Sequence, residues 1–264
     1  MYHVYENGYN VLPGLFALGH DFGHGDIDKK LFQIDEDFKF YQAVKLNSLD
    51  CQTCVATSKE LSNENKDYIA KFIAKQLSEE YPQIGNLPTN LEGLALKVQE
   101  DIAVFDATKD RLLYGHICMP SGWDVLEKID KNFREIHEVV PGMNLEKMDG
   151  LRRAMLNNGP FVRFVWSVVF EKRLNFHPSI PKKEFNSSKP EIYVKVERQV
   201  TKGFPEKGLV LFLIRQYLIP EEELNISKLI ASLESMTPEQ KKYKAIDNSF
   251  EDLLAYLKDK KGEL

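Results

Sequence analysis

Apolar positions along the chain change their period from one region to the next. Between residues 64 and 81, Tyr68, Ile69, Phe72, Ile73 and Leu77 recur at steps of three and four. That period lines one helical face. It predicts a helix over 64–81, capped by Ser62-Asn63-Glu64-Asn65 and stopped at Pro82. Residues 36–58 satisfy both periods. Phe38, Tyr41 and Val44 fit a helix, while Phe38, Phe40, Val44 and Leu46 fit one face of a strand.

Alternation begins at Val98. Val98, Ile102 and Val104 share one face of a strand over 98–105, and Glu100 falls on that same face. A carboxylate there is costly unless it is paired or put to use. A second strand over 111–119 sets Tyr114, His116 and Cys118 on one side. The Pro120-Ser121-Gly122-Trp123 corner follows, with Asp124 as a helix cap and Val125, Ile129, Phe133 and Ile136 as a helical stripe. A further helix spans 144–158. Three more strands follow. The first, 161–170, alternates loosely around Arg163 and Trp166. The second, 192–200, sets Val194, Val196, Arg198 and Val200 against Lys195, Glu197 and Gln199. The third, 208–219, is apolar except at Arg215 and Gln216. A Pro- and Lys-containing loop fills 172–190. Helices then run over 221–234, 237–245 and 248–260. Periodicity supports an α+β fold around one antiparallel sheet. Five strands with helices inserted after the second match the layout of a PAS domain. The expected divisions are an N-terminal arm with helices (1–97), a PAS-like domain (98–220) and a C-terminal helical extension (221–264).

Composition narrows the class. The 264 residues are 43% hydrophobic and 28% charged, with a formal charge of −5. This is a globular composition, and its acidic balance argues against nucleic acid and anionic membranes as partners. No run of about 20 apolar residues predicts a membrane span. The N-terminus lacks a basic start followed by an apolar core, and three cysteines suit a reducing compartment, so a cytoplasmic location is expected. Cys51-Gln-Thr-Cys54 lacks the second pair a zinc site needs and reads as two ordinary thiols. His20, Asp21 and His24 are ligand types in a glycine-spaced loop, and a packed arm is the expected role of that segment.

Several separate segments carry a resemblance. They are VQEDIAVF, ICMPSGWDVLEKIDKNFREIHEVVPG, VRFVWSV, VKVERQVTKGFPEKGLVLFLIRQYLIP and PEQKKYK. In this order, from about residue 11 to 245, the chain resembles the haem-dependent oxidative N-demethylase alpha-subunit family. The resemblance implies a PAS-like fold holding haem b. It implies a monooxygenase reaction in which O2 and a small secondary amine, such as dimethylamine, meet above the iron. Electrons would come from NADPH through partner subunits carrying flavin, an iron–sulfur cluster and tetrahydrofolate. No GxGxxG motif or cluster-binding cysteine set is present here, so reductant would come from another chain. The family usually has Asn where this chain has Val165, and Thr where it has Val200.

The resemblance also orders the candidate residues. His137, within the shared IHxxVPG segment, is the expected axial ligand; the alternatives are His116 as ligand and a helix-end role for His137, bonding a free carbonyl. His177, beside Pro178, is expected to be structural or exposed. Arg198 is expected to stabilise bound oxygen. Glu100 would hold the substrate ammonium, with Trp166 or Tyr217 as aromatic walls. An Arg198–Glu100 pair across the sheet is compatible with both roles. Arg163 and Arg215 would bind haem propionates. The alternatives are a haem sensor or binding protein without turnover, and a haem-free interaction module.

Overall fold

The computed structural model describes residues 4–10, 14–23, 27–49 and 53–263. Its centre is an antiparallel sheet of seven strands in the order β1-β5-β6-β7-β3-β4-β2. The five predicted strands form the contiguous middle. They are β3 (Asp101–Asp106), β4 (Arg111–His116), β5 (Phe161–Val169), β6 (Tyr193–Phe204) and β7 (Leu209–Pro220). Two short edge strands correct the five-stranded expectation: β1 (Phe16–Ala17) pairs with β5, and β2 (Val55–Thr57) pairs with β4. Runs of two and three residues are too short to show a period.

The ambiguous 36–58 segment divides into helix α1 (Phe38–Leu49) and strand β2. The predicted 64–81 helix is α2 (Asn63–Glu80), and Ser62 Oγ accepts its cap bond from the Asn65 N–H at 3.2 Å. Ile69, Ile73 and Leu77 of α2 are fully buried, each contributing on the order of 1.5–3 kcal/mol of apolar burial. With α3 (Leu91–Ala95), α2 packs on Ile102, Val104, Tyr114, Val200, Leu211 and Leu213. The same face continues to Trp166, Val168, Val194, Val196 and Ile219. There α7 (Ile226–Glu234) and α9 (Phe250–Glu263) cover it.

The opposite face carries the helices inserted between β4 and β5. The single stripe expected from Val125 to Ile136 is two short helices, α4 (Val125–Lys128) and α5 (Phe133–His137). Asp130 breaks the run with φ 63°, and Asn132 restarts it through a capping box with Glu135. Asp124 caps α4, as its position predicts, by accepting from the Leu126 N–H at 2.8 Å. Helix α6 (Met148–Asn157) follows. It approaches β6 so closely that a Cβ on Gly203 would lie 2.0 Å from the Leu156 carbonyl oxygen. Helix α8 (Pro238–Tyr243) lies between α7 and α9 in the chain.

Among the described residues, no helix is long and apolar enough to cross a membrane, and no cluster of three metal-ligating side chains occurs. His24 and Cys51 lie outside the described residues. His20 stacks on Phe16, with ring centroids 4.7 Å apart. Cys54 is buried in an apolar cluster that also holds Cys118.

Candidate functional site

Strand parity separates the predicted residues into two groups. Phe164 pairs with Arg198 and Val165 with Glu197, while Arg198 pairs with Arg215 and Val196 with Tyr217. Side chains alternate along a strand. Trp166, Arg198, Arg215 and Tyr217 therefore face α2, α7 and the N-terminal arm. Arg163, Val165, Lys195, Glu197 and Gln199 face the inserted helices.

On the first face, residues 27–35 are strapped down by buried ions. Arg198 donates from Nε to Asp28 at 2.5 Å, and from its terminal nitrogens to the carbonyls of Leu31 (3.1 Å) and Lys30 (2.6 Å). Arg215 pairs with Asp35 at 2.9 Å and stacks 3.7 Å above the Tyr41 ring. Glu100 is fully buried. Its Oε1 accepts from the Gln33 N–H at 2.7 Å, and Oε2 has no hydrogen-bond partner among the described residues. Burial pushes this carboxyl up, although the Arg215 and Arg198 charges pull the other way. Tyr217 bonds to Gln33. Trp166 packs edge-on against Tyr5 and Tyr9. Each of these groups is engaged by the arm or by core. The expected Arg198–Glu100 pair is replaced by Arg198–Asp28, because the arm brings its own carboxylate. This constellation lies across the sheet from His137, so Glu100, Arg198, Arg215, Tyr217 and Trp166 do not share a chamber with that imidazole.

The second face is covered in part: Phe105, Val210 and Ile214 are buried in a cluster against which Phe133, Ile136 and Phe212 pack. Arg163, Val165, Glu197, Gln199, Phe212 and Leu218 lie in the middle of long strands and yet are only half-buried. Helix α5 above them has no fully buried residue. Ile129, Phe133, Ile136, His137, Val140 and Met143 are likewise half-buried. A sheet face and a helix face thus bound a half-covered region, the candidate cleft. Protein interiors are close-packed, so this half-covered apolar surface is the candidate ligand site.

His137 sits at the end of α5 on this side. Its ring lies 4.3 Å from that of Phe133, which packs on Phe105 of the sheet. His137 Nδ1 is 2.7 Å from the Phe133 carbonyl oxygen, so Nδ1 carries the proton and donates. Nε2 keeps its lone pair and has no partner among the described residues. Burial lowers the imidazole pKa, with the Arg163 charge adding to that effect, so the neutral form is favoured. The other two candidates are committed elsewhere. His116 is 1% exposed, contacts Cys118 Sγ at 3.5 Å, and is pushed down to about 3 by burial. His177 is buried between Ser179 (2.7 Å) and Asp124 (3.4 Å).

Four shared segments meet around Glu197 and Arg163, and the Arg163 charge reaches His137. Ser121, from PSGW, bonds to Glu197 of VERQ, and Gln199 donates to Glu197 at 2.7 Å. The PSGW corner is held by paired backbone bonds with Phe176, both 2.9 Å. Arg163, from VRFVWSV, has a buried Nε without a partner among the described residues and feels the charge of Glu197. Tyr243 and Lys244, from PEQKKYK, lie within the field of Arg163 and Glu197. Lys195 is 1% exposed, donates to the Leu174 carbonyl at 2.9 Å, and is pushed down to about 7 by burial. Sequence reading missed Glu197, Lys195, Tyr243 and Lys244 as site residues. Their signal was the polar half of the 192–200 alternation and membership in the shared segments. Val165 lies directly across from Glu197 in the cleft, while Val200 is fully buried on the opposite face.

These residues fit a porphyrin. They offer a neutral imidazole with a free Nε2, apolar walls, and a cationic rim that suits carboxylates. A protein-family model described as haem-dependent oxidative N-demethylase, alpha subunit-like, matches residues 86–254. The match takes in β3 through α8, and with them the whole cleft. It covers more than half of the sequence, and the chain belongs to the haem-dependent oxidative N-demethylase alpha subunit-like family.

Proposed function

We propose that this chain is the haem-binding subunit of an oxygen-dependent oxidative N-demethylase acting on a small secondary amine. The central five strands and inserted helices would hold the haem, and His137 would be the residue that binds its iron. The observation that carries this reading is the 2.7 Å contact between His137 Nδ1 and the Phe133 carbonyl, at the edge of the half-covered cleft. A donated Nδ1–H fixes the tautomer and directs Nε2 to a metal. Haem, when bound, supplies the redox chemistry toward O2 and the amine. The chain's own part is to hold the iron through Nε2, to bind the propionates through Arg163, and to exclude water with Phe133, Ile136 and Phe212. Electrons come from NADPH through flavin and iron–sulfur partner subunits. Absorption spectra of oxidised and dithionite-reduced protein test the reading. A Soret band is expected in the wild type and in His116→Ala, and is expected to be lost or shifted in His137→Ala. No band after haem reconstitution sinks it.

A haem protein without amine turnover is the second reading. One observation favours it: Glu197, the carboxylate in the cleft, is already bonded to Ser121 and Gln199 and surrounded by cations. Titration of the haem-loaded protein with dimethylamine separates the two. A saturable spectral shift supports an amine site, which the first reading requires, and its absence supports the second reading.

A further inference from the structure

The cleft holds more positive charge than its own acid offsets. Arg163, Lys195 and Lys244 are all within the field of Glu197, and Lys182 acts on both lysines. Asp101 offsets only Lys195 in addition. Arg198 and Arg215 on the other face each have a carboxylate at 2.5–2.9 Å, whereas Arg163 has no ion pair among the described residues, and its buried Nε has no hydrogen-bond partner there. Lys244 has no ion pair among the described residues. Its ammonium lies 5.6 Å from the Tyr9 ring centroid, and burial pushes it down to about 8. Lys182 Nζ lies against the PSGW corner, 3.0 Å from where a Cβ on Gly122 would be. Arg163 and Lys244 are half-buried and Lys182 is exposed at the rim. Partly desolvated cations without a counter-ion are costly, so a site built this way is completed by an anion.

From this arrangement we infer that Lys244 and Lys182 join Arg163 in a clamp for two carboxylates of the bound ligand. This rests on the haem reading and identifies the carboxylates as the propionates. The site is then not confined to the sheet and its inserted helices. The end of α8 and the 172–190 loop close it, and the C-terminal extension is part of the cofactor site.

The test is a Soret titration of the haem-free full chain with haem and with haem dimethyl ester, which lacks the two carboxylates. Wild type is expected to bind haem more tightly than the ester by a factor on the order of tenfold or more. Lys244→Ala is expected to lose most of that preference with ester affinity unchanged. Lys244→Arg, which keeps the charge, is expected to retain it. Equal wild-type affinities for the two porphyrins overturn the clamp while leaving haem binding intact. So does a Lys244→Ala variant that weakens both alike, because that marks a merely structural role. Binding of neither porphyrin overturns the haem reading, and the clamp with it.

Discussion

Glu197 and Arg198 are consecutive residues that face opposite sides of the sheet. Glu197 pairs with Val165 in the cleft, and Arg198 pairs with Phe164 over the strapped N-terminal arm. One signature segment therefore serves two jobs. Its odd-numbered members face the inserted helices, and its even-numbered members hold the fold.

Arg198→Ala is expected to destabilise the protein by roughly 3 kcal/mol or more, because it leaves Asp28 and two carbonyls without their donor. Urea unfolding measures this. The Soret spectrum of the folded fraction is expected to match wild type. A specific spectral change at constant stability would bring Arg198 back to the haem.

Trp166→Ala is expected to cost about 3–5 kcal/mol through the cavity left against Tyr5, Tyr9 and Val168. Calorimetry measures the loss. Haem affinity at a temperature well below the transition is expected to be unchanged, since the indole faces the C-terminal helices.

Lys195 makes stability depend on pH. Burial lowers its ammonium from 10.5 to about 7, so the folded state binds fewer protons than the unfolded state between those values. Stability therefore rises with pH across that window, and the full cost is present below about 7. Lys195→Met is expected to flatten the curve, gaining most over wild type at the acidic end. Urea midpoints from pH 6.5 to about 10 check this, and an unchanged slope would refute it.

Gly203→Ala is expected to prevent α6 from docking on β6, since the new Cβ meets the Leu156 carbonyl at 2.0 Å and backbone cannot give way cheaply. Loss of more than about 3 kcal/mol is expected in urea melts. Near wild-type stability would show that α6 packs elsewhere.

The sequence by itself determined the local elements. The three-and-four spacing in α2, the alternation in β6 and the Asp124 cap are properties of neighbouring residues, and neighbours are what periodicity reads. It also carried the family, because several ordered segments survive together. The polar half of β6 was visible too, but alternation cannot say which face meets a ligand. That choice belongs to tertiary structure. Only packing shows that Asp28 and Asp35, far away in sequence, neutralise Arg198 and Arg215. Once the arm has consumed those guanidiniums, the face with Arg163, Glu197 and His137 is the one left half-covered. A buried charge is decided by whichever carboxylate the fold delivers to it, and that delivery comes from residues about 170 to 180 positions away.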